Sequence, residues 1–510
     1  MNDTVGVVDL FAGAGGLSEG FASASNGTNN LFKIAISVEK EAWAFQTLRL
    51  RSFLREYRQR HNCLPKKYID LHSGLLKVVD WKAVDPEAWQ SATSETFQME
   101  LGTRTAATRL DDAIETLSSK YKNNVLIGGP PCQAYSLVGR ARSKGNSNYR
   151  AHEDERHYLF REYIRALQNL MPAAFVMENV KGILSSTVQS QQIFQQLMND
   201  LSSLGTPQTH QYEIFAIKCD GKNLSLIRAE KPSDFVLRTE NLGIAQRRHR
   251  VIIVGVRSDL ASKVQSAKTK AATHPQTVRA IIGNLPPLRS GISKSTDSDQ
   301  EWLNHTQNAA DYLSKLSSNL ITENLRAALS QLANGACQHF SMGRSSTDLP
   351  IGYGVSDNKL LAWLENQELK AIAQHETRRH IKSDLERYLY AACFGSVREF
   401  SPKARDFPKE LSPNHVNWGS GVFNDRFRVQ LANQPATTIT SHISKDGHYF
   451  IHPDPMQCRS LTVREAARLQ AFPDDYLFLG PRTSQYVQVG NAVPPYIAQQ
   501  IAKLIYEVVH

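Results

Sequence analysis

The stretch Val125-Leu-Ile-Gly-Gly-Pro-Pro-Cys-Gln-Ala-Tyr-Ser136 decides the fold. Its first three residues are apolar and predict a short buried strand, which the two glycines end. The two prolines stiffen the turn that follows, so Cys132 comes directly after the carboxyl end of the strand. In an open parallel sheet, ligands bind at this edge. A thiol placed there is a candidate nucleophile, and the alternative is a small buried hydrophobic residue.

A second junction between a strand and a loop lies at the N-terminus. Residues 5–10 are apolar and predict a buried strand, and Asp9-Leu-Phe-Ala-Gly-Ala-Gly-Gly-Leu-Ser18 leads from it into a helix. Glycines between a strand and a helix let the backbone approach a ligand closely. The dinucleotide fingerprint would begin at Gly13 and Gly15, but Ser18 replaces its third glycine. The loop therefore indicates a nucleotide-type ligand other than NAD, with a plain tight turn as the alternative.

Charged residues border three further predicted strands, following two of them and preceding the third. Residues 32–38 run into Glu39, which is placed to accept hydrogen bonds from ribose hydroxyls. Residues 173–177 run into Glu178, a second carboxylate at a strand end. The motif Gln246-Arg-Arg-His-Arg250 precedes an apolar strand, and its arginines suit an anion or a polarised carbonyl. For each of these groups the alternative is a solvated side chain at the surface.

The order of these elements predicts the domains. Strands alternate with helices up to about residue 260, which predicts an α/β fold with a doubly wound, mostly parallel sheet. We expect residues 1–260 to form a catalytic, cofactor-binding domain. The alternation is lost in residues 261–455, which we interpret as a second, smaller domain. Thr462-Val-Arg-Glu465 is a capping box that opens a helix, and we expect residues 456–510 to return to the first domain.

Composition narrows the class of protein. The chain has 510 residues, of which 41% are hydrophobic and 21% charged, as in soluble globular proteins. Its net charge of +10 favours a polyanionic partner such as nucleic acid. The six cysteines form no Cys-x-x-Cys pair, which argues against a zinc site and a redox dithiol. No signal peptide or membrane-spanning run is visible, so we expect a cytoplasmic protein without a metal.

Taken in order, six motifs resemble those of the C5-cytosine DNA methyltransferases of the prokaryotic, restriction-modification type. They bracket nearly the whole chain, apart from the variable segment before residue 455. Each motif is weak alone, and their order is specific. The motifs are Asp9-Leu-Phe-Ala-Gly-Ala-Gly-Gly16, Gly129-Pro-Pro-Cys-Gln133, Glu178-Asn-Val180, Gln246-Arg-Arg-His-Arg250, Arg464-Glu-Ala-Ala-Arg-Leu-Gln470 and Gly490-Asn-Ala-Val493.

The resemblance implies DNA (cytosine-5-)-methyltransferase activity and a role for each catalytic residue. Cys132 would add as a thiolate to C6 of a cytosine flipped out of the duplex, so that C5 can attack a methyl sulfonium. Glu178, when protonated, would donate a hydrogen bond to N3 of the base. Arg250 resembles the arginine that contacts the base carbonyl, and Arg248 would have a structural role.

The same resemblance implies S-adenosylmethionine as methyl donor, with S-adenosylhomocysteine as product. Phe11 would lie beside the adenine and Glu39 would bind the ribose. The other residues expected at this pocket are Ala12, Gly13, Gly16, Pro131 and Asn491. Lys40 departs from the pattern, because an aromatic residue often follows the ribose carboxylate. The acidic residue that reads the adenine amino group stays open between Glu100, Asp111 and Asp112.

Double-stranded DNA is the implied partner, and residues 261–455 would be the target-recognition domain. Thr437-Thr-Ile-Thr440 and Ser441-His-Ile-Ser-Lys-Asp-Gly447 resemble the end of such a segment. We expect a monomer, and a paired restriction endonuclease is compatible with the resemblance. Three alternatives remain: a silent DNA-binding relative, a tRNA methyltransferase of the same fold and a nicotinamide oxidoreductase. Intact Cys132, Glu178 and Arg250 argue against the first.

Overall fold

The computed structural model describes residues 4–27, 29–131, 159–185, 187–188, 191–202, 204, 211–272, 274–335, 340–343, 346–414, 418 and 424–510. The chain forms two compact units. The first unit comprises Met1–Cys63, Asp80–Pro275 and Ala492–His510, and the second comprises Leu64–Val79 and Gln276–Asn491. None of the described helices combines the length and the apolar content that crossing a bilayer needs.

The strands and helices are numbered in chain order over the described residues. The strands are β1 (Val5–Leu10), β2 (Phe32–Glu39), β3 (Thr96–Gln98), β4 (Asn124–Gly128), β5 (Ala174–Val180), β6 (Thr187–Val188), β7 (Gln191–Gln192), β8 (Tyr212–Cys219), β9 (Asn223–Ile227), β10 (Val236–Arg238), β11 (Gln246–Arg247), β12 (His249–Arg257), β13 (Lys268–Lys270), β14 (Gly291–Ile292), β15 (Ser346–Thr347), β16 (Ile372–Ala373), β17 (Arg379–His380) and β18 (Ala436–Thr437). The helices are α1 (Gly16–Ala22), α2 (Ala42–His61), α3 (Lys66–His72), α4 (Trp81–Val84), α5 (Pro86–Glu95), α6 (Arg104–Ser118), α7 (Leu159–Leu170), α8 (Ile193–Ser202), α9 (Val278–Ile282), α10 (Asp299–Lys315), α11 (Glu323–Asn334), α12 (Lys359–Leu364), α13 (Lys382–Arg398), α14 (Val463–Leu469), α15 (Arg482–Asn491) and α16 (Pro495–Val509).

The first unit is built on one sheet with the strand order β13-β9-β8-β12-β5-β4-β1-β2-β3, and β10 also pairs with β12. Strands β3, β2, β1, β4 and β5 are parallel to their neighbours. Every residue of β1 and β4 is buried, which explains why both read as continuous apolar runs in the sequence. The predicted α/β class with a doubly wound, mostly parallel sheet is confirmed.

The other half of the sheet differs in direction from the sequence-based expectation. Strands β12, β8, β9 and β13 pair antiparallel with their neighbours, including β12 with β5. Antiparallel neighbours need no crossover helix, and only β-strands and 3-10 turns connect β8 to β12. The apolar strand at 251–256 therefore runs back along β5. As a result, the start of β12 and the carboxyl end of β5 lie at the same edge.

The C-terminal helix α16 packs against the helix that follows the glycine loop. An ideal Cβ at Gly16 would lie 2.2 Å from the carbonyl oxygen of Val493, and one at Gly20 would lie 2.5 Å from that of Pro495. Any side chain at these two positions would push α1 and α16 apart. The last nineteen residues, 492–510, thus belong to the first unit and cover the start of α1.

The second unit holds more of the C-terminal segment than the sequence suggested. Residues 456–491 belong to it, and only residues 492–510 return to the first unit. Within this segment Arg468 and Asp474 form a buried ion pair, in which Nε and Nη2 of Arg468 lie 2.9 and 2.7 Å from the carboxylate oxygens of Asp474. Arg468 also donates to the carbonyl of Ile281 at 3.0 Å, which ties α14 to α9.

A short piece of the N-terminal half also lies in the second unit. Leu64–Val79 packs with residues about 400 positions later in the chain. The hydroxyl of Tyr68 donates to the carbonyl of Asp475 at 2.5 Å, and His72 donates to that of Asp474 at 2.9 Å. The chain then returns to the first unit, where Thr96–Gln98 forms β3 of the sheet.

Candidate functional site

The glycine loop forms a tight turn between β1 and α1. Phe11, Gly13 and Gly15 all have positive φ angles, of 60°, 59° and 88°. The backbone N–H of Ala12 donates to the carbonyl of Val38 at 3.0 Å, which anchors the loop to β2. An ideal Cβ at Gly13 meets no atom within 4 Å, so the backbone there faces open space. This is the geometry of a loop that a ligand can approach closely.

Glu39, at the end of β2, is joined to this loop. Its Oε2 accepts a hydrogen bond from the N–H of Gly13 at 2.7 Å, and its Oε1 accepts one from the N–H of Glu41 at 2.7 Å. Burial raises the pKa of Glu39, and the two backbone hydrogen bonds oppose that shift. The structure therefore brings together the predicted glycine loop and the predicted ribose carboxylate.

The three acidic candidates for the adenine amino group differ in their position relative to β3. Gln98, the last residue of β3, pairs with Glu39 in parallel register. Glu100 follows two residues later, is exposed, and forms an ion pair with Lys40. Asp111 instead lies on α6, where it binds Arg165 at 2.6 Å. Asp112 lies on the same helix, so of the three candidates only Glu100 follows the strand beside Glu39.

Asp9 is a residue of this site whose role the sequence did not reveal. It is fully buried at the end of β1, and Ser18 of α1 donates a hydrogen bond to its Oδ2. The pKa of Asp9 is raised from its ordinary value of 3.8 to about 7, chiefly by burial; the hydrogen bond from Ser18 opposes the shift and the charge of Glu39 adds to it. Ser18, which stands where the dinucleotide fingerprint has its third glycine, thus has a specific partner beneath the loop.

The second cluster lies where β5 ends and β12 begins. Arg250 Nε lies 2.8 Å from Glu178 Oε1, and the two side chains are only 13% and 12% exposed. Arg250 also donates through Nη1 to the carbonyl of His249 at 2.9 Å. Burial lowers the pKa of Arg250, and the carboxylate of Glu178 opposes that shift. The antiparallel register, with Ile252 opposite Glu178, brings this pair together.

Arg248 is buried behind the same pair. It is 1% exposed, and its backbone N–H donates to Oγ1 of Thr239 at 3.0 Å. Burial lowers the pKa of Arg248 strongly, the neighbouring charge of Arg250 lowers it further, and Glu178 raises it. The pKa of Arg248 therefore depends on the charges of both Arg250 and Glu178.

The turn at residues 129–131, which precedes Cys132, packs against Glu178 and Asn179 at the end of β5. An ideal Cβ at Gly129 would lie 2.9 Å from Glu178 Oε2, so only glycine leaves the carboxylate its room. Asn179 donates through Nδ2 to the carbonyl of Pro130 at 3.3 Å. Pro131 is the last described residue of the turn, and residues 132–158, which include Cys132, lie outside the described residues.

The motif at residues 464–470 lies in the second unit, and the motif at residues 490–493 is divided, with Gly490 and Asn491 in the second unit and Ala492 and Val493 in the first. Arg464 is buried and donates to the carbonyls of Ala373 at 3.0 Å and Tyr476 at 2.8 Å. Asn491, predicted at the cofactor pocket, is exposed at the end of α15. Over the described part of the chain, no group of three or more His, Cys, Asp or Glu side chains is arranged to hold a metal ion.

This chain is similar in sequence to known proteins of one family. The sequence profile of the C-5 cytosine-specific DNA methylases matches residues 82–507. A Type II methyltransferase of Bacillus paralicheniformis, M.Bpa9945I, is 33% identical, with 99% of each chain covered. The Type II methyltransferase M.DdeI of Desulfomicrobium norvegicum is 25% identical, with 98% of this chain and 88% of that protein covered.

The fold is also found in a solved structure. A protein of Escherichia coli, described as a DNA modification methyltransferase encoded within a prophage, aligns with a TM-score of 0.51 at 20% identity, with 99% of both chains covered. The profile spans most of this chain, and the alignment with the Bacillus relative covers 99% of this chain. This chain therefore belongs to the C-5 cytosine-specific DNA methylase family and is a DNA (cytosine-5-)-methyltransferase.

Proposed function

We propose that this enzyme transfers a methyl group from S-adenosylmethionine to C5 of a cytosine flipped out of a specific site in duplex DNA, and so protects that site from a cognate restriction endonuclease. The single observation that carries the mechanism is the buried Glu178–Arg250 pair beside the turn that leads to Cys132. The restriction-modification context is supported by two relatives named as Type II methyltransferases.

In the proposed mechanism, the Cys132 thiolate forms a bond to C6 of the cytosine. The electron pair of the C5=C6 bond is then free to form the C5–methyl bond while the donor's S–CH₃ bond breaks. Glu178, in its protonated form, donates to N3 and takes up part of the negative charge that enters the ring. A base removes the proton from C5, and the electrons of that C–H bond restore the double bond as Cys132 leaves.

Arg250 and Arg248 have different parts in this proposal. Arg250 reaches the edge where Glu178 lies, so we assign it to the carbonyl of the base and to the orientation of Glu178. Arg248 is buried behind them, and we assign it a supporting electrostatic role. Two guanidinium groups near one carboxylate also make this edge positive, which favours ionisation of a nearby thiol.

The residues of the glycine loop fit S-adenosylmethionine. When bound, it supplies an electrophilic methyl group on a sulfonium. The open space above Gly13 and the carboxylate of Glu39 offer a close backbone approach and a hydrogen-bond acceptor for ribose hydroxyls. The proposed pocket also includes Phe11, Ala12, Gly16 and Pro131. We add Glu100 as the reader of the adenine amino group, because it follows the strand next to Glu39.

Duplex DNA is the proposed macromolecular partner, bound by a monomer inside the cell. The net charge of +10 supports a polyanionic partner. Extrusion of the target cytosine costs a few kcal/mol, which contacts between protein and DNA must offset. We propose that the second unit recognises the site, while the first unit binds the flipped base and the cofactor.

Covalent trapping tests the proposal. The enzyme is incubated with S-adenosylmethionine and duplex DNA that contains 5-fluorocytosine in varied contexts, beside a Cys132→Ser control. Fluorine does not leave as a proton does, so the Cys132–C6 adduct persists after methyl transfer. We expect a complex stable to denaturation in the wild type and not in the control, and the trapped contexts identify the site. Trapping on tRNA but not on DNA would contradict the proposal.

A further inference from the structure

The turn Ser441–Ser444 of the second unit is held by one arginine side chain. Arg378 donates through Nη1 to the carbonyl of Lys445 at 3.0 Å and through Nη2 to the carbonyl of Ile443. Its guanidinium carbon also lies 4.0 Å from the ring centre of Tyr486 on α15. A single planar group thus joins three segments that are far apart in the sequence.

The packing around this arginine leaves the turn little freedom. An ideal Cβ at Gly490 would lie 2.3 Å from the backbone nitrogen of Ser441, so α15 and the turn meet backbone to backbone. Gly447, which ends the segment, has a φ of 78° and a virtual Cβ 2.7 Å from the side chain of Ser460. Ile443 is fully buried. The carbonyls of this turn therefore face Arg378 in a fixed geometry.

The braced turn forms one wall of a groove of about 510 Å³. Four cationic side chains line this groove, against one carboxylate, that of Glu376; the cationic residues are Arg378, Arg379, Lys445 and Arg482. Arg379 and Lys445 are exposed, and the side chain of Arg379 is 63% accessible, with Asp297 at 3.7 Å. The hydroxyl residues Ser444 and Thr483 also line it.

Arg482 is oriented toward the groove by its own contacts. Its Nη1 donates to the carbonyl of Thr377 at 2.7 Å and lies 3.8 Å from Glu376 Oε1. The remaining donors of its guanidinium are available for a second partner, since an arginine carries five N–H groups. Cations and hydroxyls around a groove of this size suit a phosphate group of a nucleic-acid backbone.

We infer that Arg378 is a positioning residue for DNA binding: it holds the turn against α15 and thereby shapes a groove in which Arg379, Lys445 and Arg482 bind a phosphate of the duplex backbone. The inference rests on the proposed function, because it takes duplex DNA as the partner. Arg378 itself acts through the turn, since it donates hydrogen bonds to two backbone carbonyls there.

Equilibrium binding of a duplex at several salt concentrations tests this inference, with S-adenosylhomocysteine present. Loss of a phosphate contact in Lys445→Ala or Arg379→Ala should weaken binding and lower the slope of log K against log salt by about 1 each. Arg378→Ala should weaken DNA binding about tenfold with unchanged affinity for S-adenosylhomocysteine, and Arg378→Lys should restore part of the loss. Arg398→Ala is the matched control. This substitution also removes one positive charge from the second unit, but Arg398 does not line the groove.

Three results would overturn the inference or separate it from the proposed function. Equal DNA affinity and salt slope in Lys445→Ala, Arg379→Ala and the wild type would overturn it. Loss of cofactor affinity in Arg378→Ala together with DNA affinity would assign that arginine to general folding and overturn its positioning role. If Arg378→Ala does not fold, DNA binding by Lys445→Ala and Arg379→Ala, both at exposed positions, tests the inference. A wild type that binds no duplex under any of these conditions would contradict the proposed function itself.

Discussion

Arg250 Nε lies 2.8 Å from Glu178 Oε1 at the edge where β5 ends and β12 begins. Residues 178 and 250 are 72 positions apart in sequence, and the antiparallel pairing of β5 with β12 brings them together. Few solvent molecules reach the pair, since both side chains are almost fully buried. Electrostatic interactions are strong in such surroundings, so each residue constrains the orientation of the other.

The Glu178–Arg250 pair is expected to be essential for methyl transfer. Arg250→Leu and Glu178→Gln should each lower the single-turnover rate by about 10²–10³-fold, the usual effect of removing one preorganised electrostatic group. Rapid-quench assays with labelled S-adenosylmethionine measure this rate. Arg257→Leu, at the other end of β12, is the control, and we expect its rate to be unchanged. A normal rate in Arg250→Leu would show that the pair only stabilises the fold.

Glu39 should control affinity for the cofactor without controlling DNA binding. Glu39→Gln keeps an acceptor for the N–H of Gly13 but loses the charge that strengthens hydrogen bonds from ribose hydroxyls. We expect the Kd for S-adenosylhomocysteine to rise about tenfold, which corresponds to about 1.4 kcal/mol. Isothermal titration calorimetry measures this change. Glu41→Gln removes the same charge two residues away, and equal Kd values for the two variants would refute the ribose assignment.

The two loop glycines, Gly13 and Gly16, should respond differently to alanine. Gly13→Ala places a methyl group in open space at a φ of 59°, so we expect a modest loss of stability, about 1 kcal/mol, and weaker cofactor binding. Gly16→Ala places its methyl group 2.2 Å from the carbonyl oxygen of Val493, so we expect a loss of about 1–3 kcal/mol. Denaturant unfolding and calorimetry separate the two effects. Equal stability losses in both variants would contradict the packing described for α1.

Asp9 should make stability depend on pH. Its pKa is raised to about 7 in the folded protein, so between about pH 4 and 7 the folded state keeps a proton that the unfolded state releases. Its contribution to the free energy of unfolding therefore falls as pH rises through this range, by up to about 1.4 kcal/mol per pH unit. Above pH 7 the contribution is constant.

Asp9→Asn is the matched variant, because an amide is neutral and still accepts the hydrogen bond from Ser18. We expect this variant to gain stability relative to the wild type between pH 4 and 7, and to keep that gain at pH 8. Urea unfolding at each pH measures the difference. A difference that is the same at pH 4.5 and pH 8 would show that Asp9 has an ordinary pKa.

Local patterns were sufficient for the parts of the fold that depend on short stretches of chain. The runs at 5–10, apolar except for Asp9, and at 125–127 are strands, because both faces of β1 and β4 are buried and most of their positions are therefore apolar. The glycine loop is a turn, because positive φ angles at Gly13 and Gly15 favour glycine. The order of the motifs was sufficient to identify the family.

Long-range packing decided the rest. Three features depend on which distant segments meet. They are the strand direction in the β8–β13 half, the contact of Tyr68 with Asp475, and the position of Glu100, rather than Asp111, just after the strand that pairs with β2. The same holds for the raised pKa of Asp9, which burial causes, and for the turn that Arg378 holds. Residue type and spacing determine local conformation and chemistry. Burial of a side chain, and its distance from charged groups elsewhere in the sequence, are determined only when the chain has folded.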